Sequence, residues 1–277
     1  MRAALAALFL MKHKILIIAH RGASDLLPDN TIESFDQALL DKADMLELDV
    51  RKTSDGHLVL YHDWYMRLAG NSYRLQGLSR PASHASFNQL YDCCQSKGFQ
   101  LTTLDEVLAR YGTKIIINIE LKAGGYEKEV INFVRKYDLT ESVVLSSFFP
   151  WVIMKIKDID SRIKTGWIVG QEQILSANKL ARAILGFIFK KVKADSAHFQ
   201  YEIITPEIIQ KFHERDIPIY TWTVNDSTIM NQLIGLGVDG IITNKPGQLY
   251  SIFREKLTAQ AQGKSENSQL LVSGGKV

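Results

Sequence analysis

The sequence predicts an α/β fold, a (β/α)8 TIM barrel with a small insertion over the barrel mouth, and three observations carry that expectation. Eight short apolar segments alternate with helix-like segments along nearly the whole chain. Most of the eight are too continuously apolar to own a wet face, as parallel strands covered by helices should be. Eight strand–helix units in about 250 residues is the usual size of such a barrel. A doubly wound sheet is the alternative, but no GxGxxG turn follows the first strand.

In chain order the expected strands are 15–19 (ILIIA), 45–50 (MLELDV), 115–121 (IIINIEL), 143–147 (VVLSS), 163–169 (IKTGWIV), 194–199 (ADSAHF), 218–224 (PIYTWTV) and 239–243 (DGIIT). Asp55-Gly56 predicts a hairpin turn after the second. Helix starts are readable between them. Asn30 and Glu33 form a capping-box pattern ahead of Ile32, Phe35 and Leu39, and Thr103 with Glu106 repeats it. Thr205-Pro206-Glu207 supplies an N-cap, a first-turn proline and a first-turn acid, while Gly237 marks a helix end.

The domain expectation is an N-terminal extension over 1–13, a barrel over 14–254 and a disordered tail over 255–277, which is rich in Gln, Ser, Gly and Lys. Residues 64–100 read as an irregular insertion, because a loop that long is usually functional or disordered. Arg2 followed by Ala3 to Leu10 imitates the start of a signal peptide. However, the run is short, is broken by Met11-Lys12-His13-Lys14, and leads to no small-residue cleavage site. A cytoplasmic location is therefore expected.

Composition narrows the function classes. The 277 residues are 46% hydrophobic and 23% charged, with a net charge of +3. Lys and Arg are scattered among acids instead of forming one stripe, which argues against a nucleic-acid partner. Cys93 and Cys94 are adjacent, a poor arrangement for a loop-closing disulfide, and no CxxC spacing suggests zinc or redox work. The oligomeric state is not written in the sequence.

The second strand poses the chemical question. Leu46, Leu48 and Val50 alternate with Met45, Glu47 and Asp49, so one face turns acidic. Asn118, Glu120 and Lys122 share a face of the third strand in the same way. For any single carboxylate at a strand end a salt bridge is the commoner explanation. Three converging acids are costly out of water unless a cation joins them. Hard divalent ions choose such oxygens, so Glu47, Asp49 and Glu120 are candidate ligands for one Mg²⁺ or Ca²⁺. His20 and His62, from separate segments, are candidate acid/base groups. Arg21 and Lys122 add positive charge suited to a phosphate. Trp222, expected to face inward with Tyr220 and Val224, offers an apolar wall. His13, His57, His84, His198 and His213 lack such company and read as surface or structural.

The blocks "HRGASDLLPDNTIESFDQAL", "ELDVRKTSDGHLVLYHD", "TLDEVL", "NIELK", "WTVN" and "GVDGIITNKP", in this order, resemble the glycerophosphodiester phosphodiesterase family. The resemblance runs from about Ile15 to Tyr250. It implies a metal-dependent barrel hydrolase of lipid and glycerol metabolism that cleaves small glycerophosphodiesters to glycerol 3-phosphate and an alcohol. Carried onto matching positions, it makes His20 and His62 the acid/base pair and Glu47, Asp49 and Glu120 the metal ligands. It leaves Arg21 and Lys122 to hold phosphate, and gives His62 a second candidate role as a metal ligand. Two departures stand out. The family usually shows PENT where this chain has Pro28-Asp29-Asn30-Thr31, and often an Asp where it has Asn244.

Two rival expectations follow. A lysophospholipase D would use residues 181–193 (ARAILGFIFKKVK), an apolar patch with three lysines, as a membrane-surface helix. The commoner fate of such a face is packing of Ile184, Leu185 and Ile188 on the core. An inactive barrel serving as a binding module is the other rival.

Overall fold

A computed structural model describes residues 15–66, 81–172, 188–256 and 258. The expected extension over 1–13, most of the apolar patch at 181–193 and nearly all of the tail lie outside these residues. Within them, β1 (Leu16–His20), β2 (Met45–Lys52), β4 (Ile116–Leu121), β5 (Val143–Ser147), β6 (Lys164–Val169), β7 (Ser196–Gln200), β8 (Ile219–Trp222) and β9 (Gly240–Thr243) are the eight expected strands. All eight pair in parallel, and β1 bonds both β9 and β2, so the sheet closes on itself. Helices α1 (Ile32–Leu40), α2 (Phe87–Gln95), α3 (Leu104–Tyr111), α4 (Glu127–Lys136), α5 (Pro150–Ile159), α6 (Pro206–His213) and α7 (Ser227–Leu236) fall between the strands. The fold is the expected (β/α)8 barrel. No helix among the described residues is long and apolar enough to cross a membrane.

Side-chain alternation divides the interior. Outward residues such as Leu46, Leu48, Ile117 and Ile119 pack with the helices, while Leu16, Ile18, Met45, Ile116, Val144, Tyr220 and Ile242 fill the barrel. Above that inner apolar layer the same inward positions turn polar: His20 beside Glu47, Glu47 beside Asn118, and Asp49 beside Glu120. Burial of apolar area carries the lower layer. The upper layer gives up that stabilisation for chemistry.

Local rules explain most helix ends. Thr103 accepts from the Glu106 N–H and Glu106 reaches back to the Thr103 N–H, the expected capping box. Thr205 caps α6 ahead of Pro206, and Gly237 ends α7 in the left-handed region at φ 88°. The first helix corrects the expectation by one residue. Its box is Thr31 with Ser34, not Asn30 with Glu33. Asn30 stands at φ 60°, and its amide is committed to Asp49 instead.

Two other readings change. Segment 64–100 is not wholly irregular, because Phe87–Gln95 forms α2 behind a Ser86/Gln89 capping box. Leu90, Cys93 and Cys94 face inward at helical spacing, and Leu90 and Cys94 join a separate small core with Val59, Tyr61 and Leu101 beneath the hairpin strand β3 (Leu58–Leu60). Val224 does not share the inward face of Trp222. The strand stops at Trp222, and Val224 packs into the outer cluster with Met230 and Val238. Of the 181–193 patch, residues 188–193 are described, and Ile188, Phe189 and Val192 pack against that outer core.

Candidate active site

The C-terminal ends of the strands surround a cavity of ≈ 460 Å³, counted out to its open mouth. One wall carries His20, Arg21, Glu47, His62, Asn118, Glu120 and Lys122; the other is Phe148, Ile168, His198, Trp222, Thr223 and Ile242. The inward alternation of β2 and β4 delivers the acids. Ligand oxygens of Glu47, Asp49 and Glu120 lie within 4.8 Å of one another, and all three side chains are buried. His62 stands outside that group.

Two cations thread the cluster. Lys122 Nζ lies 2.8 Å from Asp49 Oδ1 and 2.6 Å from Glu120 Oε1. Arg21 Nε pairs with Asp49 Oδ2 at 2.9 Å, its Nη1 donates to Asp29 at 2.8 Å, and its backbone N–H donates to Glu47 Oε2 at 3.1 Å. Asn30 adds a clamp: its Nδ2 donates to Asp49 Oδ2 at 2.9 Å, and its Oδ1 accepts from the Asp49 N–H at 3.2 Å. Asn30 therefore takes a strand's place on the edge of β2, between the Arg21 N–H bonded to Glu47 O and the Tyr61 N–H bonded to Asp49 O. The shortened acid of the PDNT block keeps a charge role through Arg21.

These surroundings split the acids. Burial alone would raise Asp49, but Lys122 and Arg21 outweigh it and hold the carboxyl far below its ordinary range. Glu47 is pushed well above that range by burial and by repulsion from Asp49 and Glu120. Glu120 is also raised, chiefly by burial, with Lys122 opposing. Uptake of a proton by the raised acids, or a further positive charge beside them, relieves that repulsion.

The histidines differ in support. His20 Nδ1 lies 2.6 Å from Asn244 Oδ1. An amide oxygen can only accept, so Nδ1 carries the proton and Nε2 keeps its lone pair. Burial and the nearby Arg21 hold His20 down to about 3. His62 Nδ1 sits 3.2 Å from Asp63 Oδ1, and burial lowers it too. Trp222 spends its Nε1–H on the His198 carbonyl at 2.9 Å and meets Phe148 edge-on, which leaves an aromatic wall.

A family model described as the glycerophosphoryl diester phosphodiesterase family matches residues 20–248. The chain belongs to that family. A glycerophosphodiester phosphodiesterase of Caldanaerobacter subterraneus is 31% identical over 254 residues, which cover 87% of this chain and 99% of that protein. One from Bacillus subtilis is 28% identical over 258 residues, covering 86% of each. Among solved structures, a glycerophosphodiester phosphodiesterase of Thermotoga maritima superposes with a TM-score of 0.71 at 26% identity, over 87% of this chain and 99% of that one. The family is metal-dependent, and the buried triad of Glu47, Asp49 and Glu120 is a group that could hold a metal ion.

The structure thus brings together every residue singled out in the sequence: His20, Arg21, Glu47, Asp49, His62, Glu120, Lys122 and Trp222. Sequence reasoning missed three. In the sequence alone Asn30 reads as a cap and Asn244 as a family departure, yet one grips Asp49 and the other His20. By its neighbours in the sequence His198 reads as a surface or structural histidine. His57, His84 and His213 are indeed exposed, whereas His198 is buried and lines the cavity.

Proposed function

We propose that this protein hydrolyses small glycerophosphodiesters to glycerol 3-phosphate and an alcohol, using one divalent cation and proton transfer by His20 and His62. The single observation that carries the reading is the buried triad Glu47, Asp49 and Glu120 at the strand ends, interleaved with Arg21 and Lys122. Three carboxylates against two cations leave one net negative charge. A divalent ion turns that into one net positive charge, the complement of a phosphodiester. All-oxygen donors suit Mg²⁺ or Ca²⁺. Held by Glu47, Asp49 and Glu120, such an ion would supply Lewis-acid stabilisation of charge on phosphoryl oxygens.

The chain's own groups divide the remaining work. Arg21, fixed at three points, and Lys122 hold and neutralise the phosphate oxygens. His20, neutral and with Nε2 free, accepts the proton of the attacking hydroxyl. His62 gives a proton to the departing alkoxide as the imidazolium, which the Asp49 and Asp63 carboxylates favour against burial, and regains it from water while His20 releases its own to water. It is left to that role because it stands outside the carboxylate group. Phe148, Ile168, Trp222 and Ile242 present carbon to the substrate's carbon skeleton and exclude water from one side. The relatives' names supply the substrate class.

Nothing favours the rivals. Ile188 and Phe189 are already packed against the core, and a binding module has no use for the full converging set. The test is a panel of glycerophosphoethanolamine, glycerophosphocholine and lysophospholipids with Mg²⁺, Ca²⁺ or chelator, products read by phosphorus NMR. Glycerol 3-phosphate should appear without detergent and vanish on chelation. Full activity after exhaustive chelation would remove the metal; turnover of lysophospholipids alone would replace the substrate.

A further inference from the structure

The apolar wall of the cavity carries a histidine that the mechanism above does not use. His198, on β7, is buried and lines the cavity beside Ile168 and Trp222. Its ring is held by its neighbours. Ser196, two residues earlier on the same face, lies with Oγ 2.9 Å from Nε2. The Ser196 hydroxyl also lies 3.4 Å from the Thr165 carbonyl, and when it donates there the proton between Ser196 and the ring belongs to Nε2. Nδ1 is then a bare acceptor, and it is buried without a hydrogen-bond partner. Burial holds the ring neutral.

The barrel makes room for this ring. Gly166 on β6 sits against it, and a Cβ there would stand 2.4 Å from Nε2 and 2.5 Å from Cε1. Only glycine lets the imidazole occupy that place. A leucine at 198 would pack the wall at no polar cost, whereas a buried lone pair with no donor costs free energy. The lone pair calls for an O–H or N–H from something that enters the cavity. Phosphate oxygens at neutral pH offer acceptors and belong with Arg21 and Lys122 on the other wall. The donor must come from the part of the substrate farthest from the phosphate.

We propose that His198 Nδ1 receives the terminal hydroxyl of the substrate's glycerol moiety, making the Ser196–His198–Gly166 arrangement the element that selects glycerol from other alcohols. The inference rests on the glycerophosphodiester reading of the site. It explains why a largely apolar wall holds one imidazole with its second nitrogen tied down.

The experiment compares glycerophosphoethanolamine with its propane-1,2-diol analogue, which lacks only the terminal hydroxyl, and uses bis(4-nitrophenyl) phosphate as a glycerol-free diester. The wild-type protein should prefer the glycerol diester by about tenfold or more in kcat/KM, expressed mainly in KM, the scale of one hydrogen bond to an otherwise unpaired buried group. His198→Leu should erase that preference, and His198→Gln, which keeps an acceptor, should retain part of it. Gly166→Ala, which displaces the ring without removing it, gives an independent route to the same loss if the leucine variant folds poorly. Equal use of the two diesters by wild type, or an undiminished preference in folded His198→Leu, would overturn the subsite. Cleavage of bis(4-nitrophenyl) phosphate with neither glycerol-type diester touched would overturn the substrate reading and the subsite together.

Discussion

Replacing Asn30 with alanine should damage the protein far more than its small size suggests. Asn30 is buried, its backbone sits at φ 60°, and its amide makes both hydrogen bonds to Asp49. Three losses follow. The buried Asp49 N–H is left without an acceptor, at about 1–3 kcal/mol. The Asp49 carboxylate loses one charge-assisted donor, worth about 1.5–3 kcal/mol, partly covered by Arg21 and Lys122. Alanine in the left-handed region adds about 1 kcal/mol. Because the three share one side chain they do not add fully, and about 3–5 kcal/mol is expected, a large share of a typical stability of about 5–15 kcal/mol. Glycine at the same position removes the backbone cost but not the other two, so Asn30→Gly should lose about 2–4 kcal/mol. Urea unfolding at pH 7 in chelator reads the order wild type, glycine, alanine, with an unchanged slope. An alanine variant within about 0.5 kcal/mol of wild type, or more stable than the glycine one, would refute the clamp.

Other outcomes follow from the same geometry. His20→Ala and His62→Ala should each lower kcat by about 10²–10⁴ in steady-state assays with the fold retained, and near-wild-type turnover in either removes that residue from proton transfer. Glu47 and Glu120 have raised folded pKa values, so the metal-free protein binds protons there that the unfolded chain has released. That contribution is present at low pH and lost as pH rises through the folded values. Millimolar Mg²⁺ or Ca²⁺ should therefore raise Tm more at pH 8 than at pH 5, and equal gains would contradict the raised pair. His198 behaves in the opposite sense. Burial lowers it from 6.5 to about 3, so its contribution is complete above pH 6.5 and is lost on acidification towards pH 3. The slope reaches about 1.4 kcal/mol per pH unit. His198→Leu should flatten the stability curve between those values, and an unchanged slope would mean that the imidazole is not buried.

The barrel was legible because its signals are local. Each of the eight strands is an apolar run that the structure reproduces to within two residues at either end, and Thr103, Thr205 and Gly237 cap helices by rules spanning a few positions. The acidic triad and the two histidines were legible for a related reason, since period-two alternation announces which strand residues share a face. What escaped depends on partners distant in the chain. Asn30 and Thr31 are both good caps, and only Asp49, nineteen residues on, decides which one is spent elsewhere. His198 sits between Ala197 and Phe199 in an ordinary strand, and its meaning appears only when Gly166 is placed beneath it. Helix α2 is hidden in the sequence because adjacent cysteines draw the eye as thiols, although Cys93 and Cys94 occupy the apolar stripe of a helix.

That pair of thiols makes the small core beneath the hairpin observable. Both cysteines are fully buried, and burial pushes the Cys94 thiol up to about 12, so neither should react with an alkylating reagent while α2 stays seated. Tyr61, in the same cluster, immediately precedes His62. Any excursion that lifts α2 must therefore loosen the chain beside a histidine of the cavity at the moment it uncovers sulfur. The labelling rate of the native protein would then be a clock for that excursion, and its retardation by a bound phosphodiester would measure how firmly an occupied site latches its own rim.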